Sequence, residues 1–351
     1  MEKSEIESWL REEDEDKLQL LWHAANEARA KHIGDEVYLR GLIEISNYCR
    51  RACHYCGLRS ANRGLPRYRL LQQEALMSAR KAASLGYSTV VLQAGEDSVL
   101  TQSWMGTLIR RIKTSTGLVV TLSLGERTPE ELVAWKLAGA DRYFLRFETS
   151  NEELYRKVHP SWPAICNNRF ELLAAARNLG YEIGSGLMVG LPGQSYEDLV
   201  RDIQLLKKHD FDMIGVGRFI PYPDTPLGQV TGKCDDQVPA TSLMTWKTVA
   251  LARLVCPDAN IPSTTALSLV EGPNGHRNAL NRGANILMLN VTPEDKRDLY
   301  EIYPGKGKTD TPEAVDQKTR EMITKLCRKI GKGRGDAPRF SKRKPKEAWA
   351  L

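Results

Sequence analysis

The chain has 351 residues, 50 Lys and Arg against 44 Asp and Glu for a formal net charge of +6 at pH 7, and 41% apolar residues. That apolar share suffices for the core of two average domains or of one large α/β barrel. The charge is too mild to argue for nucleic acid, and no run of about 18 apolar residues exists to span a membrane.

Residues 1–36 read as leading helices. Their opening stretch, "MEKSEIESWLREEDEDKLQL", is acidic and lacks the apolar centre of a signal peptide. A cytoplasmic, reducing setting is therefore expected, which keeps thiols free. Eight β-like runs follow, at 38–46, 88–95, 118–125, 142–148, 182–190, 212–220, 260–267 and 284–291. Amphipathic stretches alternate with them at 71–86, 128–139, 151–157, 168–179, 195–209 and 237–255. This alternation predicts an α/β fold, a (β/α)8 TIM-type barrel over 37–296. Trailing helices are expected over 297–327, then a basic tail over 328–351 that reads as a solvated, flexible arm or as a partner-binding one.

The chemically distinctive residues fall where the expected strands end, and barrel active sites sit at that C-terminal mouth. After the first strand comes "CRRACHYC", with three of the seven cysteines, Cys49, Cys53 and Cys56, at spacing C-x3-C-x2-C. Structural zinc wants four ligands and a disulfide framework wants even numbers. Three thiolates on one tight loop suit an iron–sulfur cluster with one iron left open. Cys166, Cys234, Cys256 and Cys327 are scattered singly and read as buried or incidental thiols.

In "QAGED" (93–97), Gly95 permits close approach of the backbone, and Glu96 is suited to accept from an ammonium; a plain strand-to-loop turn is the simpler reading. In "LRFET" (145–149), Arg146 and Glu148 share one face of a strand, as a salt bridge within the barrel or as ligand-binding groups. Arg169 opens the next helix, either as a carboxylate fork or as a surface arginine. "GLMVGLPGQS" (186–195) offers Met188 and several glycines as a flat apolar wall, with Gln194 where an acid would be more telling. Thr121, Ser123, Thr264 and Thr265 bring hydroxyls to the third and seventh strand ends, although Thr in a strand is often mere β-propensity. Asp224, in the rigid "PYPDTP" loop, reads as a capping or turn residue.

The cysteine spacing, with Tyr55 before the last cysteine, resembles the signature of radical S-adenosyl-L-methionine (SAM) enzymes. "GDEVYLRGLIEISNYCRRACHYCGLR", "VVLQAGED", "GADRYFLRFETSN", "MVGLPGQSYEDLV", "HDFDMIGVGRFIPYPDTPL" and "YEIYPGK" resemble more closely the HydE family of FeFe-hydrogenase maturases, within the biotin synthase and methylornithine synthase group. The likeness spans roughly residues 35–310. It implies one 4Fe–4S cluster on Cys49, Cys53 and Cys56, with SAM on the open iron, cleaved to a 5′-deoxyadenosyl radical. It implies SAM contacts from Tyr55, Gly95, Glu96, Glu148, Arg169 and Met188. Substrate contacts are implied for Arg146, Thr121, Ser123, Thr264, Thr265 and Tyr303.

The implied substrate is a small iron carbonyl–cyanide–cysteine complex on the way to the diiron H-cluster. The implied partners are the maturases HydG and HydF and an electron donor, with no membrane and no nucleic acid. Some members carry further cysteines after "YPGK" for an accessory 2Fe–2S cluster; this chain has only Cys327 there, so none is expected. The alternatives are a methylornithine synthase-like mutase or a HydE paralogue and, from another class, a non-catalytic iron–sulfur scaffold.

Overall fold

The structure is a computed structural model that describes residues 1–160, 168–230, 236–305 and 310–343. Eight parallel strands form the barrel wall: β1 (Glu36–Ser46), β2 (Thr89–Ala94), β3 (Val119–Ser123), β4 (Arg142–Phe144), β5 (Glu182–Val189), β6 (Met213–Arg218), β7 (Pro262–Ser263) and β8 (Ile286–Asn290). They are ordered β6-β5-β4-β3-β2-β1-β8-β7. The ring closes just ahead of β7, where Ile214 N–H donates to the Asn260 carbonyl at 2.9 Å and Asn260 N–H to that of Asp212 at 2.8 Å. The expected (β/α)8 architecture is therefore present.

Side chains alternate across each strand. Ile43, Leu92, Leu122, Tyr143 and Ile183 face outward and are buried under the helices, among Leu76, Leu108, Trp135, Leu172 and Ile203. Each such aliphatic burial contributes roughly 1.5–3 kcal/mol. Several helices start where the sequence signals a cap: Thr128 and Ser195 each accept from the third backbone N–H, and Glu131 and Asp198 reach back.

The strand bounds differ from expectation in two places. The seventh strand is only Pro262–Ser263, and Thr265 already opens a helix, Thr265–Glu271. The fourth ends at Phe144, and 145–148 continue irregularly, with Glu148 at φ 69°. A helix at Gln102–Thr116, capped by Thr101, links β2 and β3 where no amphipathic stretch was assigned.

The leading helices Lys3–Arg11 and Glu15–Ile33 pack on Tyr196–Lys208 and Ser242–Val255. Lys247 anchors them by donating to the Leu10 carbonyl at 3.0 Å. Among the described residues no helix is long and apolar enough to cross a membrane.

The tail is where expectation and structure part. Residues 328–343 fold under the barrel and form its floor. β9 (Lys329–Ile330) pairs with β1. Arg142, fully buried, pairs with Glu182 and, at 2.7 Å, with Asp336. Ala337 N–H donates to Glu182 at 2.8 Å, and the Gly335 carbonyl accepts from Asn260 at 2.9 Å. Arg339 and Arg343 pair with Asp258 and Asp212. The basic residues thus neutralise acids placed near the N-terminal ends of the strands, which holds a segment that composition alone marks as solvated.

Candidate active site

The cysteine loop leaves β1 at the C-terminal mouth and folds back across the barrel. Gly95, just past β2, permits this: a Cβ there would lie 2.4 Å from the Tyr48 carbonyl oxygen and 2.6 Å from Cys49 Cβ. Glu96 N–H, the next donor, points at Cys49 Sγ at 3.4 Å. Gly95 thus lets the loop seat on the end of β2.

Beneath the loop lies a cavity of about 330 Å³ that runs down the barrel axis, within the range of small-molecule sites. Cys49, Cys53, Cys56, Tyr55, Gly95, Glu96, Glu148, Arg169 and Met188 line it, as do Arg146, Thr121, Ser123, Thr264, Thr265 and Tyr303. All the residues given cluster, SAM or substrate roles from the sequence line this one space. Asp224 does not; it is exposed on its loop.

The three thiols fit a thiolate-held iron–sulfur cluster. They sit together on one loop at one wall of the cavity. In such a cluster each thiolate takes a different iron. Cys256 is buried in the core and Cys327 is exposed. Cys166 and Cys234 lie outside the described residues.

A charge network borders the loop. Glu96 pairs with Arg51 at 3.0 Å and Arg50 at 3.4 Å, and accepts from Glu126 N–H at 3.1 Å. Its carboxylate is already satisfied within the protein. Arg51 also pairs with Glu126 at 2.6 Å, and Arg169 meets Glu126 at 3.0 Å from the other side. Arg169 donates in addition to the Arg146 carbonyl at 2.6 Å, so it is a buried cavity residue and no surface arginine.

Arg146 and Glu148 form the expected ion pair at 3.3 Å, inside the cavity. Tyr55 donates its hydroxyl to Glu148 Oε1 at 3.2 Å and lies 2.8 Å from His159 Nε2. Burial, with Arg169 and Arg51 nearby, holds His159 well below the usual histidine pKa, so it is neutral at pH 7. Glu148 Oε2, Thr121 Oγ1, Thr264 Oγ1 and His159 Nδ1 are buried without a hydrogen-bond partner among the described residues. Orphaned polar atoms of this kind, beside a strained residue at φ 69°, mark a surface built to meet a ligand.

Met188 packs with Phe219, Leu191 and Tyr55 as the apolar wall. Gln194 holds the end of β5 in place, accepting from Gly190 N–H at 2.8 Å and donating to the Met188 carbonyl at 2.9 Å. Burial raises the Tyr303 pKa, with Thr265 hydrogen-bonded to its hydroxyl. The sequence reading passed over Arg40, Arg51, Glu126, His159 and Asn260. Arg51 sits inside the cysteine motif and Glu126 closes "TLSLGE" (121–126), which were the available signals.

Known proteins resemble this chain over most of its length. The model of the radical SAM superfamily matches residues 43–206. The [FeFe] hydrogenase maturase subunit HydE of Thermotoga maritima is 45% identical over 322 residues, 91% of this chain and 89% of that protein. The 3-methylornithine synthase of Methanosarcina acetivorans is 27% identical over 93% of this chain and 87% of its own. Among solved structures, methylornithine synthase (PylB) superposes with a TM-score of 0.81 at 25% identity, covering 94% of each chain.

Proposed function

The chain belongs to the HydE family within the radical SAM superfamily, and from that premise we propose that it is a radical SAM enzyme acting in assembly of the diiron centre of FeFe-hydrogenase. Cys49, Cys53 and Cys56 would hold a 4Fe–4S cluster, leaving one iron for SAM. That pair supplies a 5′-deoxyadenosyl radical when bound.

The residues divide by the groups they offer. Near the loop, Glu148 and Arg169 offer a carboxylate and a guanidinium to the hydroxyl, amino and carboxylate groups of SAM. Tyr55 orients Glu148 by its 3.2 Å hydrogen bond, and Met188 supplies a flat apolar face. Arg146, Thr121, Ser123, Thr264, Thr265 and Tyr303 would form a cationic, hydroxyl-lined chamber for a small anion in the same cavity. An iron carbonyl–cyanide complex of cysteine matches that chemistry, and enclosure protects a radical from water. The observation that carries this reading is the convergence of the cysteines and all these polar groups on one cavity.

HydG and HydF as partners, an electron donor and a cytoplasmic setting follow from the same reading. The absence of an accessory 2Fe–2S cluster rests on the sequence after "YPGK", where Cys327 stands alone.

The likeness to methylornithine synthase favours one rival, an amino-acid mutase. Anaerobic turnover with SAM and reductant separates the two. A maturase consumes the iron–cysteine complex and leaves free amino acids unchanged; rearrangement of a free amino acid, with the complex untouched, would establish the rival.

A further inference from the structure

Segment 50–69 contains six arginines and no acid. Three of the six are neutralised, Arg63 is exposed, and Arg59 is half-buried with one hydrogen bond, to the Ala52 carbonyl at 3.4 Å. Arg50 and Arg51 pair with Glu96, and Arg69 pairs with Asp97 at 2.6 Å while lying over the Tyr48 ring. Arg67 is different. It is half-buried, and its guanidinium donates to four main-chain carbonyls: Asn47 at 2.5 Å, Leu58 at 2.9 Å, Arg59 at 2.8 Å and Asn62 at 3.0 Å.

The three cysteines lie in sequence between the first of these carbonyls and the second. One planar fork therefore ties the strand that enters the loop to the turn that leaves it. Asn47 completes the closure, its N–H donating to the Tyr68 carbonyl at 3.3 Å and its Oδ1 accepting from Tyr68 N–H at 2.7 Å.

Arg67 also lacks a carboxylate partner among the described residues; the ionisable groups acting on it are Cys49, Cys56 and Tyr48. Carbonyl dipoles solvate a guanidinium but leave its net charge in place. A half-buried cation is costly without a counter-charge, and Cys49 and Cys56, two of the groups acting on it, would supply one as metal-bound thiolates. A positive charge at that place stabilises the more negative, reduced state of a cluster, since cluster potentials follow local charge and hydrogen bonding.

We propose that Arg67 is the positioning residue of the cysteine loop, clamping it in the conformation that accepts a cluster and raising the reduction potential of the cluster it holds. The inference rests on the preceding reading that Cys49, Cys53 and Cys56 bind a 4Fe–4S cluster. Lysine cannot replace the clamp, because a point ammonium does not reach four carbonyls in one plane. It can replace the charge.

The test uses the full chain with Arg67→Lys and Arg67→Gln, prepared without cluster and then loaded anaerobically with iron and sulfide. In the apo chains, trypsin cleavage after Arg59 and Arg63 should be several-fold faster in both variants than in the wild type. After loading, a spectroscopic redox titration at matched iron content should show a more negative midpoint for Arg67→Gln and a wild-type midpoint for Arg67→Lys.

Wild-type cleavage together with a wild-type midpoint in Arg67→Gln would overturn the proposal. A chain variant that takes no cluster supports the clamp if its apo form melts like the wild type. If that form melts lower, Arg67 belongs to the fold and the proposal falls. A wild-type chain that loads no 4Fe–4S cluster would instead refute the cluster reading itself.

Discussion

Arg142 and Arg146 stand four residues apart on the way up one wall of the barrel, and the protein treats them differently. Arg142, at the base, is fully buried with two carboxylates, Glu182 and Asp336, and gives further hydrogen bonds to Thr89 at 3.1 Å and the Arg334 carbonyl at 2.7 Å. Arg146, at the mouth, keeps a side chain 31% exposed to the cavity and one ion pair, with Glu148 at 3.3 Å. At the base, Arg142 is enclosed and its charge is satisfied. The mouth retains orphaned oxygens and a residue in left-handed backbone. The difference is the familiar division of such barrels, stability below and chemistry above.

The sharpest break in that comparison is at the cysteine loop. Cys53→Ser should abolish cluster binding and SAM cleavage while leaving the thermal unfolding of the apo chain unchanged, read by iron content, product analysis and melting.

Arg142→Leu should do the opposite, leaving Glu182 buried and unpaired. Removing one partner of a buried ion pair costs about 3–5 kcal/mol, so denaturant unfolding should shift strongly, whereas any chain that still folds should load its cluster.

Glu148→Gln comes next. Hydrogen bonds to charged groups contribute roughly 1.5–3 kcal/mol, which predicts SAM binding weakened by about ten-fold or more in equilibrium titration, with little change in stability.

Thr121→Val removes a hydroxyl that has no partner among the described residues. Stability should hold or rise by about 1 kcal/mol, while consumption of the substrate complex slows. A fall in stability would place Thr121 with the base and not the mouth.

The smallest effect concerns acid. Burial alone would raise the Asp336 pKa, but hydrogen bonding from Arg334 and the nearby Arg142 hold it below the usual 3.8. A depressed carboxylate stabilises the fold fully above the unfolded value and loses that contribution as pH falls through the folded one. Asp336→Asn should therefore flatten the acid limb of the stability profile at pH below about 4. An unchanged limb would mean that other carboxylates control it.

Much of this division is legible in the chain itself. Parallel strands buried on both faces read as apolar runs, so the barrel stands out, and the strand ends bring Cys49, Glu96, Arg146 and Thr264 to one mouth. What escaped depends on partners distant in sequence. Nothing local tells that Arg339 meets Asp258, or that Glu182 awaits Ala337 N–H, so the tail read as solvated. "PSTTAL" read as strand because threonine favours strands, yet β7 ends at Ser263, and Thr264 is the cap of a helix that Thr265 opens. Glu96 read as an acid free for a ligand because Arg50 and Arg51, more than forty residues earlier, fold over it only in three dimensions.

The most direct test of the central claim is made anaerobically on the reduced, cluster-loaded chain with SAM, comparing the wild type with Cys53→Ser. The predicted result is that 5′-deoxyadenosine forms, that its formation rises when the iron carbonyl–cyanide–cysteine complex is added, and that the variant forms none. An intact cluster that binds SAM and yields no 5′-deoxyadenosine with or without that complex would contradict the claim, leaving the mouth as a scaffold for iron and sulfur.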